Sequence, residues 1–193
     1  MDETTPPSPP SPPALARIRR VSRLLAAACL VMAVGLPPLV VGWWLVATPS
    51  VLNVRAGLPA ELWHDLPIFG LQLWQRAAGA LVTLVPATLM ALALMRVRRC
   101  FLAYAAGELF GRASIVALRG FAAFAFASAL SAPFAGAAAS VILTFGAPAG
   151  RRVLAVAVST ETIFVIFVAG TIWLVAAVMA HAAALADENA RFV

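Results

Sequence analysis

The chain of 193 residues is 63% hydrophobic and only 11% charged, with a mean hydropathy of +0.95 and a formal charge of +6. A water-soluble domain of this length needs far more polar surface, so an ordinary soluble fold is excluded. The basic residues are all arginine and gather at the ends of apolar runs, as in a membrane protein with a positive-inside bias; they do not form the basic stripe of a nucleic-acid reader.

Residues 1–13 hold six of the 14 prolines and two acids. Such a run neither propagates a helix nor buries apolar surface, so residues 1–16 are expected to be a disordered, solvated tail. Residues 17–193 then form a single transmembrane domain. Arg17, Arg19, Arg20 and Arg23 hold its start in the cytoplasm, close to anionic headgroups.

The first span is expected over 24–46. Its apolar run exceeds the ~7–15 residues of a signal-peptide core and reaches the ~20 that cross a bilayer. Gly35, Pro37 and Pro38 interrupt it, and Trp43 and Trp44 fall where an outer aromatic belt belongs. Thr48–Gln75 is a loop in which Pro59 opens a short interfacial helix. Glu61, His64 and Asp65 in that loop lack the spacing of a metal site and read as a polar turn.

Trp74 and Arg76 open the second span, expected over 77–95. Pro86 interrupts it, with Thr83 placed to help satisfy the freed carbonyl. Arg96, Arg98 and Arg99 mark the return to the cytoplasm. The helix itself continues to Ala106, with Phe101 and Tyr104 at an inner aromatic belt. Gly107 should close this helix, because a residue without Cβ accepts the left-handed conformation. Glu108 lies ahead of the next helix, where a partial positive charge favours a carboxylate. This elbow is the one long segment that mixes charge, aromatics and glycine between two apolar blocks.

The third span is expected over 120–145 and carries Pro133. Ser128, Ala132, Gly136 and Ser140 recur every four residues on one helix face, as small residues do where membrane helices approach closely, within a chain or between copies of it. The fourth span is expected over 162–180. It leaves Glu161 at the outer boundary, whether or not that carboxylate enters the bilayer, and returns His181, Asp187 and Glu188 to the cytoplasm. Ten of the 14 arginines lie on the cytoplasmic side in this all-α, four-helix topology, with both termini inside.

Tyr104, Gly107, Glu108 and Phe110 form the pattern Y-x-x-G-E-x-F, and Leu185, Glu188 and Asn189 form a second short motif after the last span. Together they resemble a bacterial membrane family known as domain of unknown function 2975. The departures are Gly111, where a Ser or Thr cap is usual, and the ending Arg191-Phe192-Val193. The resemblance implies a four-span protein of the bacterial inner membrane, and implies no activity. The seven motif residues are the candidate cytoplasmic interaction surface.

No H-E-x-x-H helix, G-x-S-x-G elbow, phosphate-binding glycine loop or paired intramembrane carboxylate occurs, so an enzyme is not expected and no cofactor or metal is implied. Cys29 and Cys100 read as small apolar fillers. Two functions of different class are compatible with the sequence. One is a small interaction or regulatory subunit that meets a membrane or cytoplasmic protein. The other is a transporter or channel component, to which prolines in three spans point.

Overall fold

The computed structural model describes residues 12–46, 71–107, 111–145 and 154–189, with side chains between residues 16 and 185. Its helices are α1 (Pro12–Val46), α2 (Leu73–Ala106), α3 (Arg112–Thr144) and α4 (Thr160–Asn189). All four are long and apolar enough to cross a membrane, and no strand occurs among the described residues. Each helix packs antiparallel on the next in chain order, α1 on α2, α2 on α3 and α3 on α4. The expected loop helix after Pro59, residues 146–153 between the third and fourth spans, Glu108 and Phe110 lie outside the described residues.

The helices run further than the expected spans. α1 begins at Pro12, inside the stretch expected to be a tail. Its prolines occupy the first turn, where the missing N–H groups would have no helical partner anyway. Pro37 and Pro38, Pro86 and Pro133 all sit within unbroken helices. α4 continues past His181 to Asn189.

The packing inverts the soluble pattern. The contacts between helices are lined by small residues: Ala26, Cys29 and Ala33 on α1, Ala93 and Cys100 on α2, Ala122, Ala125 and Ala129 on α3, and Ala169 and Ala176 on α4. The bulky side chains point outward, with Leu39, Leu81 and Phe167 each 70% exposed and Phe134 71%. Outward-facing Leu and Phe cost little in hydrocarbon, where close backbone approach and hydrogen bonds hold helices together.

Two clusters tie the helices together. Ala93, Ala125 and Ala169 meet midway along α2, α3 and α4, flanked by Met90, Phe121, Phe124 and Val165. Trp44 packs with Ala80, Ala139 and Leu143 at the end where α1 finishes. Trp43 is exposed, as an interfacial residue should be, but Trp44 is only 4% exposed and does not belong to a belt. Its ring lies over Gly79, whose missing side chain makes the room. Its Nε1–H donates to Thr83 Oγ1 at 2.8 Å. Thr83 donates in turn to Gly79 O at 2.8 Å. The threonine therefore serves the tryptophan and its own preceding turn, and not the carbonyl freed by Pro86.

The same end is closed by polar side chains reaching between helices. Arg76 Nη1 donates to Trp44 O at 2.7 Å and Leu45 O at 2.8 Å, which satisfies two of the orphan carbonyls at the end of α1. Gln75 Nε2 donates to Ile142 O at 3.1 Å near the end of α3. Trp74 stands edge-on to Phe145, ring centroids 5.5 Å apart. Ser140 Oγ accepts the N–H of Ala155 at 3.0 Å and joins the segment before α4 to α3.

Of the four small residues expected on one face of α3, Ser128 and Ser140 are buried within the chain. Ser128 Oγ donates to Pro86 O at 2.8 Å, a bond between α3 and α2. Gly136 makes no close contact with the described residues: a Cβ built there meets none of them within 4 Å. The packed surface of α3 runs instead through Ala122, Ala125, Ala129, Ala135, Ala139 and Leu143.

Candidate interaction surface

The opposite end of the bundle gathers the start of α1, the end of α2, the start of α3 and the end of α4. Nine arginines stand on the first three of these segments: Arg17, Arg19, Arg20, Arg23, Arg96, Arg98, Arg99, Arg112 and Arg119. At the Trp44 end, Arg76 is the basic residue among the described ones, and Glu161 stands exposed in the first turn of α4. Among the described residues, the arginines thus concentrate at one end of the bundle.

The elbow is built around Gly107. Its φ of +97° is left-handed, and its N–H reaches back to the carbonyls of Ala103 and Tyr104, closing α2 as the sequence led us to expect. Among the described residues, a Cβ here would meet only Arg19 Nη2, at 3.6 Å, so the left-handed conformation is what calls for glycine. The proximity of Arg19 was not legible in the sequence. It brings a guanidinium from α1 to the C-terminal end of α2, where the helix dipole favours a cation.

Gly111 is the N-cap of α3 and, as expected, offers no side-chain cap. Its backbone carbonyl takes the N–H of Ser114 at 3.0 Å, and Ser114 and Ile115 are buried immediately after the turn. One turn deeper, the stem of Arg96 lies against Gly120; a Cβ on that glycine would sit 3.2 Å from Arg96 Cδ. The Arg96 guanidinium lies over the ring of Phe124, 5.5 Å from its centroid. A cation and its aromatic partner thus lock α2 to α3 just below the elbow. Gly120 stands one helix turn before Phe124 in the sequence, but nothing local there names Arg96 as the partner of either.

Of the motif residues, Tyr104 is half-buried in the last turn of α2, Gly107 forms the cap, and Leu185 is 49% exposed on α4. Glu108 and Phe110 lie outside the described residues, as do the side chains of Glu188 and Asn189, whose backbone completes α4. The antiparallel order places the elbow and the end of α4 at the same end of the bundle. No group of three or more His, Cys, Asp or Glu able to hold a metal occurs among the described residues. Compared with models of known families, with curated proteins and with solved structures, the chain matches none.

Proposed function

We propose that this chain is a multi-pass protein of the bacterial inner membrane with both termini in the cytoplasm, and that it acts as a small interaction or regulatory subunit. Its working surface is the elbow after α2 together with the end of α4. Membership of the family that shares the Y-x-x-G-E-x-F pattern is part of this reading. One observation carries it: the residues of that pattern described here form the cap of α2, at the end of the bundle where the arginines gather and α4 finishes. Two motifs separated by two spans in sequence thereby reach one end of the fold. A surface of this kind presents exposed Leu185 and a ring of cations to a protein that approaches from the cytoplasm.

The test is site-specific photocrosslinking in cells. A photoreactive residue at Leu185 should yield a discrete adduct with a second protein. The same residue at Phe134, on the outward face of α3, should yield lipid adducts. Adducts at Leu185 with lipid alone would remove the basis for an interaction subunit.

A further inference from the structure

Arg98 stands apart from the other arginines. It is half-buried on α2 beside Cys29 of α1, and its Nε is shut away from solvent without a hydrogen-bond acceptor. A buried cationic N–H without an acceptor is costly, so the side chain is incomplete as it stands. Among the described residues no carboxylate pairs with Arg98, nor with Arg19, Arg23 or Arg99 on the same two helices. One turn from Cys29 on α1, Leu25 is apolar and exposed, and so are Met95 and Leu102, one turn to either side of Arg98 on α2. A ligand that completes the site therefore needs an anionic head and a large apolar body.

We propose that the face of α1 and α2 around Arg98 and Cys29 seats one anionic phospholipid. Its phosphate accepts from the fork of Arg98, with the side chain turning so that Nε–H and an Nη–H pair together. Arg23 and Arg99, exposed along the same helices, share the charge, and the acyl chains lie along Leu25, Met95 and Leu102. Basic pockets between helices at the cytoplasmic side of a membrane protein are suited to such headgroups. The reading differs from a general attraction of arginines to a charged leaflet, because it assigns the selectivity to a single half-buried side chain.

The experiment uses the full chain purified in a neutral detergent, titrated with phosphatidylglycerol, phosphatidylcholine, inorganic phosphate or an acidic peptide. Thermal unfolding and the lipid retained in native mass spectrometry are read together. The wild type should be stabilised saturably by phosphatidylglycerol and by none of the other three. Arg98→Gln should weaken that response about tenfold, the factor expected for one charge-assisted hydrogen bond, and Arg99→Gln should weaken it less. Arg98→Lys keeps the charge but lacks the fork, so it should also bind more weakly and serves where the glutamine variant does not fold. The proposal is overturned by an equal response to phosphatidylcholine, or by an unchanged response in the Arg98 variants. An equal response to inorganic phosphate or the acidic peptide would also overturn it, because the apolar body would then be irrelevant.

Discussion

The contact between Trp44 and Gly79 is the place where the smallest chemical change should have the largest effect. In Gly79→Ala, the added Cβ would lie 2.7 Å from Trp44 Cζ2 and closer still to Cη2 and Cζ3. The ring has nowhere to go. It is 4% exposed, packed on Ala80, Ala139 and Leu143, and held by its bond to Thr83. Overpacking of a filled site costs about 1–3 kcal/mol. Displacing the indole also breaks the Nε1–H bond, worth about 1 kcal/mol. Against this, alanine is favoured over glycine inside a helix by up to about 1 kcal/mol. The net expectation is a loss of about 1–3 kcal/mol, read as a lowered unfolding midpoint in mixed micelles with increasing denaturing detergent. Gly35→Ala is the control, since a Cβ there meets none of the described residues within 4 Å and the helix propensity term stands alone. A second variant, Gly79→Ala with Trp44→Leu, should recover part of the loss, because the smaller side chain vacates the overlapping volume. If Gly79→Ala is as stable as Gly35→Ala, then Trp44 is not seated between α1 and α2 as described.

Further substitutions probe the other contacts. Gly107→Ala should destabilise by about 1–2 kcal/mol through the left-handed backbone alone, with Gly107→Asn milder, and an equal effect of both in thermal unfolding would point to crowding instead. Ser128→Ala removes the bond to Pro86 O and should cost about 0.6 kcal/mol, within the range seen for hydrogen bonds between membrane helices. Gly136→Leu should leave the melting curve in detergent unchanged, since a Cβ there meets none of the described residues within 4 Å; a clear drop would show that a second copy packs there.

The four helices were legible because each apolar run is long enough to cross a bilayer, and charged residues, glycine or proline mark most of their ends. Gly107 was legible for a sharper reason: a single left-handed residue has few candidates, and glycine stood where one was needed. The small-residue face of α3 was only half legible. In a helix this rich in alanine, a four-residue repeat of small side chains marks the packed face and the outward face almost equally well. Ser128 and Ser140 fell on the packed side, and Gly136 did not. Trp44 was misplaced for a related cause. Trp43 and Trp44 are adjacent in sequence and identical in type, and only the glycine across the interface at position 79 decides which of them turns inward. Arg19 at the elbow and Arg96 against Gly120 are contacts between separate helices, and local sequence has no record of which neighbour a helix meets.

The account stands on the basic end of the bundle facing the cytoplasm, since the elbow and the end of α4 meet no cytoplasmic partner otherwise. Topology reporters test this directly. Fusions of a dual enzymatic reporter at Val193 and between Arg99 and Gly111 should both read cytoplasmic, and a fusion at Gly57 should read exported. An exported signal from the fusion at the elbow would contradict the account.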